Sequence, residues 1–358
     1  MAFSFFKKII GPKRQLGIDI GTTSLKIAEM ERGKDGRPFL KNYAYLESFD
    51  YLDRTNAAFQ TSTLRLDEEV IARYLRALLK QAGIGDAAVV ASLPPFSSFT
   101  TLIEVPAISD AELKDALSLQ AQKYIPIPLS EVTLDWTKVG ERVDESGSKK
   151  IQVFLVAVPN DAVARTKKIF ELAGLKLSGL EIEGVAVARS LASDAREPVL
   201  IIDIGSRSTG ILVAERGMAR FLNQTDFAGG SLTQIIANGL NLAPRRAEEL
   251  KKQKGLSAGG EYELSTLIQP LLDVIINEGA RVRNNYETTY KSKVSRVILS
   301  GGGANMPGLE RYVSREMSLP AVKAQPFSSL SYPEAMAPLI GELGPLLAVS
   351  LGLGLKDL

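Results

Sequence analysis

The chain has 358 residues, 43 Lys plus Arg against 41 Asp plus Glu, and neither Cys nor His. Its length exceeds what one hydrophobic core usually supports, so two or more domains are expected. The absent thiols and imidazoles exclude Cys or His nucleophiles, Ser-His triads and the usual zinc ligand sets, and a formal charge of +2 offers no field to attract nucleic acid.

No apolar run reaches the roughly 18 residues that span a bilayer, and the opening MAFSFFKKIIGPKR has too short an apolar core for a signal peptide, so a cytoplasmic chain is expected. Phe3, Phe5, Phe6, Ile9 and Ile10 beside Lys7, Lys8, Lys13 and Arg14 suit either a frayed tail or a short amphipathic segment at an anionic membrane surface. Residues 16–20 then read as an apolar strand, followed by a Gly turn and a return strand through Leu25, Ile27 and Ala28, which is a β-hairpin. Asp67 opens a helix in which Val70, Ile71, Tyr74, Leu75, Leu78 and Leu79 recur at helical spacing, and residues 87–93 form a buried strand.

Pro94 and Pro95 mark a boundary. Beyond it come a strand at 99–105, a capping box of Ser109 with Glu112, and a helix ending before Pro126. Strands around 132–139 and 151–158 and a helix from 160 to 174 complete what reads as a compact α/β insertion with its own small core. A second hairpin begins at Val199, so the chain is duplicated in outline. Helices follow at 230–239, 244–254 and 265–290, the last with Leu267, Ile268, Leu271, Leu272, Ile275 and Ile276 on one face. A strand at 294–299 runs into Ser300-Gly301-Gly302-Gly303, and the terminal 351–358 is neither strongly basic nor a good helix.

Residues 16–24 (LGIDIGTTS) and 200–208 (LIIDIGSRS) share one plan: apolar strand, Asp, apolar residue, Gly, then hydroxyl side chains. Either copy alone reads as an ordinary hairpin turn. Two copies suit phosphate, because Gly permits close backbone approach, the amides and hydroxyls can donate, and Asp19 and Asp203 can hold magnesium through water. Lys26 adds a cation, and the loop Gly301-Gly302-Gly303-Ala304-Asn305 offers bare backbone to a base or sugar.

DIGTTSLK, DIGSRST and LSGGGANMPGL, in that order, resemble the two phosphate motifs and the adenosine motif of the actin, Hsp70 and sugar-kinase superfamily, and the insertion after the first half is placed as in the cell-division protein FtsA. Gln122-Lys123-Tyr124-Ile125-Pro126-Ile127-Pro128 with Glu131-Val132, together with Ala228-Gly229-Gly230-Ser231-Leu232-Thr233 and residues 246–251, is similar to the PilM family of type IV pilus assembly proteins. The resemblance implies an α/β, actin-like (ribonuclease H-like) two-domain ATPase fold with an FtsA-type inserted small α/β domain. A tail at 1–13, a first subdomain of 14–94 with 176–198 and the insertion at 95–175 would precede a second subdomain of 199–240 with 291–340. Residues 241–290 would form a small subdomain and 341–358 would return to the first.

The same resemblance implies ATP and Mg2+. Asp19, Gly21, Thr22, Thr23, Ser24 and Lys26 would hold one side of the phosphates, and Asp203, Gly205, Ser206 and Ser208 the other, with Asp19 and Asp203 toward the metal. Gly229, Gly230, Glu248, Lys251, Gly301, Gly302, Gly303 and Asn305 would surround the nucleoside, and Asp19 with Glu183 would serve a slow hydrolysis at most. Glu181 or Glu183 would orient water, the alignment leaving both open. The implied partner is the N-terminal cytoplasmic peptide of a PilN-like inner-membrane protein, docking near 124–129, with a pilus motor ATPase and self-association as further contacts and a peripheral inner-membrane location. An FtsA-like division scaffold and a sugar kinase are the alternatives; no second-substrate constellation supports the kinase.

Overall fold

The computed structural model describes residues 14–33, 35–47, 67–93, 98–108, 110–143, 147–257 and 264–358. The N-terminal amphipathic stretch, Pro94, Pro95 and the Ser109 half of the capping box lie outside these residues. Strands β1 (Arg14–Ile20), β2 (Ser24–Arg32) and β3 (Pro38–Glu47) form an antiparallel meander. Helix α1 (Glu68–Gln81) follows, its N-terminus capped by the Asp67 carboxylate accepting from the Glu69 N–H. It buries Ile71, Leu75, Leu78 and Leu79 against Leu16, Ile18 and Val89, one face of the sheet. Strand β4 (Ala88–Leu93) then pairs in parallel with β1.

The insertion comprises β5 (Phe99–Pro106), α2 (Asp110–Ala121), β6 (Val132–Val143) and β7 (Lys149–Pro159), an antiparallel sheet of order β5-β7-β6. Ile103, Val105, Leu113, Leu117, Ile151 and Val153 form its own core. Helix α3 (Asn160–Ala173) ends at Gly174, whose φ of 73° closes the turn. The sequence assigns this helix to the insertion, and its start does pack there, Ala162 and Val163 lying beside Phe154 and Val158, but its C-terminal half packs elsewhere. Ile169, Phe170 and Ala173 join the core of the first sheet beside α1, and Arg165 pairs with Glu68 at 2.9 Å. The complementary apolar face of α1 decides its place.

Strand β8 (Leu177–Ile182) completes the first sheet, order β3-β2-β1-β4-β8, and α4 (Glu183–Ala192) leads to the second half. There β9 (Val199–Ile204), β10 (Thr209–Glu215) and β11 (Met218–Thr225) repeat the meander. Helices α5 (Gly229–Leu240), α6 (Pro244–Lys254) and α7 (Leu264–Tyr290) follow, then β12 (Val297–Ser300), α8 (Leu309–Met317) and β13 (Ala321–Lys323). The second sheet, β11-β10-β9-β12-β13, has the same plan as the first: a hairpin meander extended by parallel strands. The duplication seen in the sequence is a duplication of topology.

The C-terminal segment lies on the first sheet as a returning segment would, but residues 351–354, which read as a poor helix, are helical. Helix α9 (Ile340–Gly354) runs through Leu351 to Gly354 and carries no amphipathic stripe because it is buried on nearly all sides. A Cβ on Gly17 would stand 1.9 Å from the Ser350 carbonyl oxygen, and one on Gly352 1.9 Å from that of Ala186, so glycine is what lets α9 lie directly on β1 and α4. Gln15 Nε2 donates to Leu353 O at 3.0 Å, while at the other end the Gly301 N–H donates to Pro345 O at 3.0 Å. One buried helix thus joins the first sheet to the glycine loop of the second. Gly17→Ala and Gly352→Ala are each expected to destabilise the chain by about 3 kcal/mol in chemical denaturation. Gly341→Ala, where a Cβ meets nothing within 4 Å, should be close to neutral.

Candidate functional site

Between the two sheets lies a cavity of about 570 Å³. With the exception of Glu181, the residues that the sequence nominates for the nucleotide line it: Asp19, Gly21, Thr22, Thr23, Ser24 and Lys26 from the first hairpin, Glu183 from the start of α4, and Asp203, Gly205, Ser206 and Ser208 from the second hairpin. Gly229, Gly230, Glu248, Lys251, Gly301, Gly302, Gly303 and Asn305 complete the set.

The two hairpin turns are built alike. Gly21 N–H donates to Ser24 O at 2.9 Å, and Gly205 N–H to Ser208 O at 3.1 Å. These glycine amides therefore close their own turns, leaving hydroxyl side chains such as those of Thr22, Thr23 and Ser206 at the cavity wall. The N–H groups of Gly229 and Gly230 donate to the carbonyls of Gly205 and Ser206 at 2.9 and 2.8 Å, bracing the second turn from the start of α5.

Lys251 extends that brace. Its buried ammonium donates to Gly229 O and Thr233 Oγ1, both at 2.8 Å, and to Glu248 Oε2 at 2.6 Å, which occupies its three protons. The geometry makes Lys251 a support for the turn. Burial pushes the Glu248 carboxyl up, but Lys251, Thr233 and Lys252 outweigh that and hold it below the ordinary range.

The glycine loop after β12 shows a similar division. Gly301 has a φ of 79°, its Cβ would fall 2.4 Å from Ile204 O, and a Cβ on Gly303 would fall 2.4 Å from Ile204 Cγ2. Both glycines are required by packing on the end of β9. At Gly302 a Cβ would meet only Leu346, at 3.6 Å, so this is the loop position with room toward the cavity.

Acidic groups dominate the floor. Asp19 accepts from Lys26 Nζ at 2.9 Å and from Ser92 Oγ at 2.8 Å. Asp203 Oδ1 is buried with no hydrogen-bond partner among the described residues. Burial raises the Asp203 carboxyl to about 6, Asp19 adding to the rise while Lys26 and the Ser300 hydroxyl oppose it. Glu183 is pushed well above the carboxylate range by burial and by the charges of Asp19 and Asp203. For Lys26, burial alone would lower the ammonium, yet Asp19, Asp203 and Glu183 together raise it. Glu181 faces away from this cluster, in a bidentate pair with Arg189 at 2.7 Å for each contact and 3.6 Å from Lys356.

Among the described residues no three acidic side chains gather closely enough to hold a metal ion by themselves. A hard divalent cation here would keep waters and take oxygens from a bound phosphate, the usual manner of magnesium. The unpartnered Asp203 oxygen, the carboxylate and hydroxyl donors and the paired turns fit that requirement.

Four contributors escape a reading of motifs. Ser92 reaches Asp19 from β4, and Tyr45 enters through the β2–β3 register that sets it opposite Lys26. Glu47, at the end of β3, pairs with Lys252 of α6 at 2.7 Å, joining the two halves beside the cavity. Only the pairing of distant strands and helices reveals them.

Two like sheets, paired hairpin turns and an adjoining glycine loop define an actin/Hsp70-like fold closed around one cleft. In the solved structure of a PilM–PilN type IV pilus biogenesis complex, the matched chain is 24% identical, with 96% of this chain and 98% of that one covered and a TM-score of 0.81. The ethanolamine utilization protein EutJ from Carboxydothermus hydrogenoformans is 18% identical, with 97% and 90% covered and a TM-score of 0.56. MreB5 of Spiroplasma citri, solved with ADP, is 13% identical, with 95% and 94% covered and a TM-score of 0.50.

The profile of the family described as type IV pilus assembly protein PilM matches residues 17–358, and the chain belongs to that family.

The raised Asp203 carboxyl has a consequence for stability. Between its ordinary 3.8 and about 6, the folded chain binds more protons at this site than the unfolded chain, so stability falls as pH rises through that window. Asp203→Asn is expected to flatten this fall and to be more stable than the ligand-free wild type by about 1 to 2 kcal/mol above pH 6. Urea denaturation at a series of pH values measures it; equal slopes in both proteins would contradict the burial of this charge.

Proposed function

We propose that the chain is a cytoplasmic, nucleotide-dependent assembly protein of a type IV pilus. It binds Mg-ATP in the cleft and a PilN-like partner's N-terminal cytoplasmic peptide through the inserted sheet. The observation that carries the reading is the convergence of two like-built turns and three carboxylates on one cavity. Among the described residues no helix is long and apolar enough to cross a membrane, which accords with attachment at the inner membrane through the partner.

In this reading the hydroxyl-bearing turns at 21–24 and 205–208 hold the phosphates from opposite sides. Asp19 and Asp203 would hold the metal, which would neutralise phosphate charge and fix its oxygens. Lys26 supplies the cation nearest Asp19. Glu248 and Gly302 border the nucleoside, with Lys251 holding the Gly229 turn in place. Glu183 is the carboxyl placed to accept or donate a proton at a water beside the phosphates, consistent with at most a slow hydrolysis.

The 124–129 segment divides by burial. Ile125 is 7% exposed and fills the insertion core with Val132 and Leu155, whereas Tyr124 is 53% exposed. Ile127 and Leu129 are half-buried at that core's edge, so Tyr124, Ile127 and Leu129 are the available apolar anchors for a peptide. Contacts with a pilus motor ATPase and with further copies of the chain follow from the family resemblance.

The test is calorimetric titration with Mg-ATP. Asp19→Ala and Asp203→Ala should each weaken binding by about tenfold to a hundredfold, as for lost contacts to charged groups, while Ile127→Ser keeps nucleotide affinity and loses a PilN-like peptide. Unchanged nucleotide affinity in both folded Asp variants would refute the cleft assignment, and full peptide affinity in Ile127→Ser would place the anchor elsewhere.

A further inference from the structure

Strand β11 touches three parts of the molecule. Gln224 pairs with Gly210, and Gly210 pairs with Asp203, so Gln224 and Asp203 stand on the same face of the sheet, two strands apart. The residue between them has no side chain, and it lines the cleft. Two strand spacings amount to about 9.5 Å, most of which a glutamine and an aspartate side chain span together. Gln224 Oε1 is buried and has no hydrogen-bond partner among the described residues.

Leu222, two residues before Gln224 and therefore on the same face, packs where Gly184 leaves room: a Cβ there would lie 2.8 Å from Leu222 Cδ1. Gly184 directly follows Glu183 of the carboxylate floor. Leu222 also packs with Val139 and Phe154 of the inserted sheet.

The β10–β11 register shifts between Val213 and Ala214, which leaves Arg220 as the extra residue of a bulge. A bulge re-aims its side chain. Arg220 pairs with Glu215 at 3.2 Å and reaches the inserted sheet at Gly140, where a Cβ would stand 3.1 Å from its Nη1. The β6–β7 register shifts at this same point, between Lys138 and Gly140. The Arg220 Nε is a second buried group with no partner among the described residues.

We propose that β11 carries the state of the cleft to the inserted domain, with Gln224 at the cleft end, Leu222 against Gly184 in the middle, and Arg220 in the Gly140 notch at the far end. The proposal rests on the reading of the cleft as a nucleotide site. A shift of the second half on nucleotide closure moves β11 with its sheet, and the insertion follows because Arg220 and Leu222 are seated in it.

The chain's one tryptophan, Trp136, lies on β6 and reports on the insertion without any partner present. Mg-AMPPNP is titrated while Trp136 emission and, in parallel, calorimetric heat are followed. In the wild type the emission should change along the binding isotherm. Gly140→Val fills the notch and should leave nucleotide affinity within about twofold while reducing the emission change at saturation at least about threefold. Arg220→Met does the same without adding volume, should the valine variant fail to fold, and Gln224→Leu, read at saturation, should also lose the response. Binding by calorimetry with silent emission in the wild type, or a full emission change in the folded notch variants, would overturn the proposal. Absence of any nucleotide heat in the wild type would instead refute the nucleotide site itself, and the proposal with it.

Discussion

The Lys26 ammonium stands 2.9 Å from Asp19 and also within the fields of Asp203 and Glu183, so one buried cation serves three carboxylates. That arrangement is electrostatically incomplete. Burial and mutual repulsion raise Asp203 and Glu183, one Asp203 oxygen has no hydrogen-bond partner among the described residues, and the energy needed to hold the group together comes from the surrounding fold. A site in this condition gains from binding positive charge together with oxygen ligands. A magnesium-bearing polyphosphate supplies both.

The rest of the structure maintains this cluster by close packing. Each Asp is the penultimate residue of a strand, and the Gly just past the strand end closes a turn through its own amide, so the carboxylates sit on backbone fixed by hydrogen bonds. The second turn is braced by Gly229 and Gly230, and these in turn by Lys251, whose protons are all used within the protein. Helix α9 then locks the glycine loop to the first sheet through contacts that admit no Cβ at Gly17 or Gly352. Rigid elements meet at the cleft, while the two halves are joined near its mouth by the half-exposed Glu47–Lys252 pair, of the kind worth little individually.

The hairpins, their Asp and Gly residues and the stripe of α7 were legible because each is a local pattern: a strand, a turn, a helical period. Glu181 and Glu183 read alike in the sequence, and only packing tells them apart: Arg189 of α4, eight residues on, pairs with Glu181 at the end of β8, while Glu183 lines the cavity. Helix α9 is hard to read because a glycine-rich helix that is apolar on nearly every side has no period. Position in the chain puts helix α3 with the insertion, whereas the helix it packs beside, α1, lies far back in sequence. Tyr45, Glu47 and Lys252 reach the cavity, and Ser92 reaches Asp19 behind it, through strand register and the meeting of the halves, which no single segment encodes. Glycine also misleads in detail: Gly301 and Gly303 look like a ligand loop, and their first requirement is the close approach to Ile204.

One magnesium nucleotide clasped between the two turns would complete the charge balance of this cluster, and a crystal structure of the chain grown with Mg-AMPPNP is the decisive experiment. The expected result is phosphate density between residues 21–24 and 205–208, with the metal between Asp19 and Asp203 and the base toward Glu248 and Gly302. Nucleotide bound elsewhere on the surface, or an unoccupied cleft at saturating ligand, would show that the paired turns are not a nucleotide clasp.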